Sequence, residues 1–215
     1  MRVAQQRVVL IDTATAVVGV AAYADGVCVS AETLRIQAGA DAWLTPAIER
    51  ALASLGTLDA VAVVTGPGAF TGLRVGIAHA LGLAVARGLP VIAVPTLALR
   101  AAAAPGHPLV LALLDARKGR LYAESFDTTG DVPVSLGPPQ DIEPGGLVLT
   151  DAVVTGEGVG AAGPALAAAR VLALPDHAHL RLAAPLLRTL PRLDPAAVAP
   201  FYLRPPDAQP PNRVH

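Results

Sequence analysis

The sequence predicts an α/β protein in two subdomains, each built on a mixed sheet with flanking helices. Three observations carry that expectation. Short apolar runs at residues 8–11, 17–22 and 27–36 are joined by tight turns, as successive antiparallel strands are. From Asp41 onward, helix-like and strand-like stretches alternate, which calls for parallel strands joined by helical crossovers. Pro105-Gly106-His107-Pro108 then interrupts the chain, and a smaller set of strand-like runs follows.

In order, residues 8–11 form an apolar strand that ends in the polar turn Asp12-Thr13-Ala14-Thr15. Residues 17–22 form the second strand. Asp25-Gly26 is a hairpin signal, and residues 27–36 form the third. Residues 41–55 place Leu44, Ile48, Ala51, Leu52 and Leu55 on one helical face. Residues 60–64 form the fourth strand. The stretch Gly66-Pro67-Gly68-Ala69-Phe70-Thr71-Gly72-Leu73-Arg74-Val75-Gly76 then turns it into a long helix that reaches Arg87, with Thr71 placed as the N-cap. Pro90 breaks the pattern, residues 91–94 form the fifth strand, and residues 96–104 form a short Ala-rich helix. Three antiparallel strands followed by parallel strands alternating with helices match the actin-like or ribonuclease-H-like layout.

The second half reads as a smaller α/β unit. Residues 109–114 form a strand ending at Asp115. Ala116-Arg117-Lys118-Gly119 turns the chain into a strand over residues 120–126. Residues 127–144, rich in Pro, Gly, Asp and Thr, read as irregular. Residues 147–155 form a strand ending at Gly156-Glu157-Gly158, residues 163–169 a short helix and residues 180–190 a helix. The expected division is 1–104, 105–204 and a flexible tail at 205–215. No repeat of fixed period stands out.

Hydrophobic residues make up 53% of the chain and aromatics 3%, so the core must be mostly Ala, Val and Leu. The net charge of -1 gives no global attraction to nucleic acid or membrane. Cys28 is the only cysteine, which excludes an intrachain disulfide and a multi-cysteine metal site and suits a reducing compartment. The first residues, with Arg2, Gln5, Gln6 and Arg7, lack the apolar core of a signal peptide. The most apolar region, residues 75–99, is broken by His79, Arg87 and Pro90. The expectation is a cytoplasmic protein with no membrane partner.

The glycine turn lacks the lysine of a phosphate-binding P-loop, and its third glycine, Gly72, falls one residue late for a dinucleotide fingerprint. A tight turn with close helix packing is the favoured reading. An aspartate ending the first strand of this layout often faces a cleft. Asp12, Thr13 and Thr15, with Gly156 and Gly158 opposite, are therefore candidates for a nucleotide site that would take ATP or ADP. The alternative is a hydrogen-bonded turn that needs no ligand. His177 and His179 lack a third ligand beyond Asp176 and read as a solvated turn. No HExxH, HxxxH or GxSxG motif is present. Arg117, Lys118 and Arg120 form a basic cluster. A solvated turn is its default reading and contact with nucleic-acid phosphate the alternative.

Gly72, Gly76, Ala80 and Ala84 recur every four residues and share one face of the long helix. Each helical glycine costs up to about 1 kcal/mol relative to alanine. Close packing against the chain's own sheet or against a helix of another subunit is the compensating gain.

GPGAFTGLRVG resembles the signature of the TsaB (YeaZ) family. VVLIDTAT at residues 8–15 resembles that family's opening strand and loop. Asp115-Ala116-Arg117 with Tyr122, and Phe201-Tyr202-Leu203-Arg204, resemble its later segments. The resemblance covers nearly the whole chain. One departure is Arg120, where the family has a glutamate.

The resemblance implies two actin-like subdomains and no independent catalysis. The family's catalytic partner, of TsaD type, carries an HxxxH metal motif that is absent here. The implied role is a partner subunit that binds and activates a TsaD-type paralogue in threonylcarbamoylation of tRNA. A TsaE-type ATPase is a further partner, tRNA is met indirectly or weakly, and a homodimer forms when the chain is alone. The implied interface comprises Leu44, Ile48 and Leu52 on the first long helix. On the second it comprises Phe70, Thr71, Gly72, Leu73, Val75, Gly76, His79, Ala80 and Leu83. The runner-up function is an actin-like ATPase acting alone, with Asp12 as its metal-facing acid.

Overall fold

The computed structural model describes residues 6–36 and 41–205. The expected tail at 205–215 lies, beyond Pro205, outside the described residues, as do Gly39 and Ala40 ahead of the first helix.

The first sheet is built from β1 (Arg7–Asp12), β2 (Val17–Ala24), β3 (Val27–Arg35), β4 (Ala60–Gly66) and β5 (Val91–Pro95). Its order is β3-β2-β1-β4-β5. β1, β2 and β3 are antiparallel; β4 and β5 run parallel to β1. Asp25 and Gly26, both in the left-handed region, make the two-residue turn between β2 and β3. β1 and β4 carry near-continuous Val, Ala and Ile because helices or the second sheet cover both their faces. One face receives α1 (Asp41–Leu55) and α2 (Phe70–Arg87) over a core that includes Val9, Ile11, Leu44, Val61 and Ile77. The other face packs with α3 (Thr96–Ala101) into a core that continues into the second half through Leu114, Tyr122 and Phe126.

The second sheet repeats the plan in smaller form. β6 (Val110–Arg117) and β7 (Arg120–Asp127) are antiparallel, and β8 (Val134–Ser135) and β9 (Gln140–Ile142) both pair with β7. β10 (Val153–Thr155) and β11 (Arg170–Val171) are parallel to β6. β6 and β10 thus stand to the second sheet as β1 and β4 do to the first. A Gly-x-Gly turn follows both β4, at Gly66 and Gly68, and β10, at Gly156 and Gly158. No sequence repeat shows this duplication, because it lives in topology.

Several local expectations change. The N-cap of α2 is Ala69, not Thr71, which is exposed. Ala69 N–H donates to Ala14 O at 2.7 Å, so the β1–β2 loop fixes where α2 begins. Only Val153–Thr155 of residues 147–155 joins a sheet. Leu147 and Leu149 pack inward from an extended segment outside the ladder. The irregular stretch 127–144 contains β8 and β9. The helix expected at 163–169 is α4 (Val159–Ala162) followed by a 3-10 turn. The helix expected over 180–190 is broken into α5 (Ala178–Arg181) and α6 (Ala184–Thr189). Pro185, which has no N–H to bond the Arg181 carbonyl, breaks the helix and starts α6. The Tyr23 hydroxyl fills the gap, donating to Leu180 O and accepting from Ala183 N–H.

The boundary expected at 104/105 separates the sheets, but the chain crosses back. Leu180, Ala183, Leu186 and Leu187 pack into the core shared with the first sheet, and β12 (Arg192–Leu193) adds to β5. No helix among the described residues is long and apolar enough to cross a membrane.

Candidate functional site

The cleft between the two sheets holds a buried ionic cluster. Asp12 ends β1, and its Oδ1 accepts the Ala14 N–H at 2.9 Å. The equivalent Asp115 makes the same i, i+2 turn, accepting from Arg117 N–H at 2.7 Å, but faces solvent. Arg100 reaches Asp12 from α3: its Nη1 donates to Asp12 Oδ2 at 2.6 Å. Its Nε and Nη2 donate to Glu157 Oε2 and Oε1 at 2.8 and 2.7 Å, a two-pronged pairing. His179, from α5, places Nε2 3.1 Å from Asp12 Oδ2. Thr15 adds a hydrogen bond to Glu157 Oε1 at 3.2 Å. Asp12 is 0% and Arg100 2% exposed. One guanidinium therefore joins the end of β1 to the glycine turn after β10.

Electrostatics keep the carboxylates charged. Burial alone would raise the Asp12 carboxyl, but Arg100, with His179 and the Ala14 N–H, holds it well below the usual range. Glu157 is also pulled down: burial opposes ionisation, and Arg100 overcomes it. Burial would lower the Arg100 pKa, and its two carboxylate partners raise it instead. Burial, with Arg100 close by, pushes His179 down against the pull of Asp12. His179 is thus a neutral imidazole at pH 7 whose Nε2–H donates to Asp12.

This arrangement alters the nucleotide reading. Asp12 Oδ2 already serves Arg100 and His179, and Oδ1 serves the backbone. The Thr13 hydroxyl donates to Gly72 O at 2.7 Å. A Cβ on Gly156 would strike Leu113 O, and one on Gly158 would crowd the Leu113–Leu114 backbone, so both glycines serve close packing. Among the described residues no group of three or more His, Cys, Asp or Glu is arranged to hold a metal ion.

Two cavities flank Glu157. One, of about 280 Å³, is lined by Arg100, Thr155, His179 and the apolar Val159, Leu172 and Leu174. The other, of about 290 Å³, lies between the loops after β1 and β6 and is bounded by Phe70, Tyr202 and Arg204. The closing segment straps it. Phe201 N–H donates to Thr65 O at 2.7 Å, and Gly66, at φ +127°, leaves no room for a Cβ beneath Phe201 O. Tyr202 stacks on Phe70 at 4.6 Å. Arg74 lies 3.8 Å over the Phe70 ring and donates to the Tyr202 hydroxyl at 3.0 Å. Arg204 bonds Ala116 O at 2.9 Å, tying the strap to the second sheet.

The residues expected at an interface divide. The small-residue ridge points inward: Gly72 and Gly76 lie against Thr13, and Ala80 and Ala84 are fully buried. Leu44, Ile48 and Leu73 are likewise core. This corrects the outward placement of the ridge, because the sheet is the surface those small residues let α2 approach. Leu52, Phe70, Val75, His79 and Leu83 are half-buried, and Thr71 is exposed. His79 joins the two long helices, donating through Nδ1 to Val75 O at 2.9 Å and lying 3.4 Å from Thr45 Oγ1. On the basic hairpin, Arg120 is held by Asp141 at 2.7 Å, whereas Arg117 and Lys118 occupy the exposed turn.

Sequence reasoning missed Arg100 and placed His179 in a solvated turn; the structure buries both. The available signal was Arg100 itself, a lone charge in the apolar run TLALRAAAA.

Two half-structures of matching topology, joined across a cleft and carrying equivalent aspartates and glycine turns, define an actin-like, ribonuclease-H-like protein. An uncharacterized protein of Mycobacterium tuberculosis is 35% identical over 97% of this chain and 97% of its own length. The Escherichia coli protein named tRNA threonylcarbamoyladenosine biosynthesis protein TsaB is 38% identical over 54% of this chain. The chain belongs to the TsaB/YeaZ family. The match spans only 53% of the E. coli protein, about half its length. YeaZ from Pseudomonas aeruginosa superposes with a TM-score of 0.74 at 26% identity, covering 92% of this chain and 100% of that one. Residues 40–135 match the family model TsaD: tRNA N6-adenosine threonylcarbamoyltransferase.

Proposed function

We propose that the protein serves in the synthesis of threonylcarbamoyladenosine on tRNA, and that it does so by binding and activating a TsaD-type catalytic partner. Family membership and the name of the E. coli relative support the pathway. The TsaD match over residues 40–135 supports a partner built on the same fold.

One observation carries the mode of action. The outer face of α2 exposes Ala78, Gly82, Val85 and Ala86, and a Cβ on Gly82 would meet nothing within 4 Å. Arg74 and Arg87 are the only Arg, Lys, Asp or Glu residues on this 18-residue helix. An exposed helical glycine costs up to about 1 kcal/mol relative to alanine, and no close packing at Gly82 among the described residues offsets it. A helix of a partner laid along Ala78 and Gly82 would approach closely and cover Val85. Without a partner, a second copy would take the same face. A TsaE-type ATPase and tRNA would meet the assembled pair, the tRNA phosphates at the exposed turn that carries Arg117 and Lys118. The committed state of Asp12 supports a partner role over an ATPase acting alone.

Light scattering on eluted complexes tests this, first with the chain alone and then mixed with the TsaD-type protein of the same organism. The expected result is a homodimer that exchanges into a heterodimer, and Gly82→Arg or Val85→Glu abolishing both while the variant stays folded by circular dichroism. Variants that still co-elute like wild type would discard this face.

A further inference from the structure

The cavity of about 280 Å³ beside the ionic cluster contains polar atoms that the chain leaves unpaired. His179 is buried, and its Nε2 is committed to Asp12. As the N–H sits on Nε2, Nδ1 is a bare acceptor, and among the described residues none donates to it. The hydroxyl of Thr155, a residue 2% exposed, likewise has no partner among the described residues. Both residues line this cavity. Neither atom is fully enclosed: among the described residues Thr96 Oγ1 is the one fully enclosed side-chain polar atom without a partner. Glu157 forms a third wall and keeps lone pairs beyond those that Arg100 and Thr15 fill.

All three groups can accept a hydrogen bond, so the complementary ligand is a donor. Charge sharpens this. Asp12 and Glu157 bring two negative charges against the single guanidinium of Arg100, while His179 is neutral. The cluster therefore holds a net charge of about -1 in a poorly solvated place, which a cation would offset. Arg100 does not repel such a guest strongly, because its Nε, Nη1 and Nη2 are all turned toward carboxylates. The donor set does not suit a metal ion. Val159, Leu172 and Leu174 offer apolar wall for a carbon body, and the Arg35–Asp176 pair, at 3.2 Å, stands at the rim.

We propose that this cavity binds a small organic cation bearing N–H groups, a primary ammonium or an amidinium, with Glu157, His179 Nδ1 and the Thr155 hydroxyl as its acceptors. The site is independent of the α2 face.

The probe is n-butylammonium, titrated into the full chain by calorimetry with histidine-ring nitrogen NMR alongside. Tetramethylammonium is the control for charge without N–H, 1-butanol for the carbon body without charge, and butyrate for the opposite charge. Butylammonium should saturate in the range of about 1–10 mM, as suits a ligand of so few atoms. It should also shift the His179 Nδ1 resonance. Thr155→Val should weaken it roughly five- to tenfold, the loss of one hydrogen bond. Ala173→Phe, which puts a bulky ring at an exposed residue of the cavity rim, should weaken it at unchanged melting temperature. Equal binding of tetramethylammonium or butanol, preference for butyrate, absence of saturation, or indifference to Ala173→Phe would each overturn the proposal.

Discussion

Arg100 Nη1 lies 2.6 Å from Asp12 Oδ2, and neither side chain reaches solvent. The same guanidinium grips Glu157 on the other half of the molecule. In a fold made of two sheets facing a cleft, this is the position where a lobe could swing. The guanidinium and the Tyr202–Arg204 strap instead fasten the halves to each other on either side of Glu157. A protein held this way presents a constant outer surface, which suits a binding subunit.

Arg100→Ala should therefore be severe. It leaves two buried carboxylates without their counter-charge, at a cost of about 3–5 kcal/mol. Adding Asp12→Asn and Glu157→Gln to Arg100→Met should recover much of that loss, because the uncompensated charges go too. Urea unfolding of the single and triple variants checks both statements. A single variant as stable as wild type would show the cluster to be idle.

Acid should weaken the fold in two stages. An unfolded histidine takes up a proton near pH 6.5, whereas His179 in the fold does so only at lower pH. Between those values the unfolded chain binds more protons, so stability falls as pH drops through about 6.5. The folded pKa values of Asp12 and Glu157 also lie below their unfolded ones. Their contribution is complete above about pH 4.5 and is lost as pH falls further. The upper stage should show just below pH 6.5 as stability rising with pH by up to about 1.4 kcal/mol per pH unit, a slope absent in His179→Gln. A flat wild-type profile there would contradict the buried neutral imidazole.

Two glycines of one helix should respond oppositely to alanine. Gly76→Ala drives a methyl into Thr13 Oγ1 and should destabilise by about 1–3 kcal/mol, partly relieved by Thr13→Ala. Gly82→Ala meets nothing and should stabilise the isolated chain by about 0.5–1 kcal/mol through helix propensity. Thermal denaturation separates the two cases. Destabilisation by both would mean that α2 sits differently on the sheet.

Tyr202→Ala should loosen the strap. It removes the ring against Phe70 and the acceptor for Arg74, a loss of about 1–2 kcal/mol. Tyr202→Phe keeps the stack and should lose about half as much. Proteolysis in the last 15 residues should be faster in the alanine variant, and equal rates would mean that the strap is held by its backbone alone.

Much of the architecture was legible in the order of residues. Apolar runs bounded by Asp25-Gly26 and by the glycine turn mark β1 to β5 and both long helices, because period and turn chemistry are local. The second half read less well. β10 is three residues long, β11 two, and Leu147 and Leu149 alternate like a strand without a neighbour to pair with. The break between α5 and α6 was signalled locally by Pro185, but the Tyr23 hydroxyl that satisfies the groups left open there lies 157 residues from Leu180, beyond any local pattern.

The sequence by itself determined the element order, the apolar character of α2 and the family signature, since each is written in contiguous residues. Tertiary structure decided which way the glycine ridge faces, what Asp12 holds, and that His179 belongs to a cleft. Those facts join residues 57 to 167 positions apart. Burial and charge pairing are set only when the two sheets close on each other, and the chain's linear order carries no record of that closure.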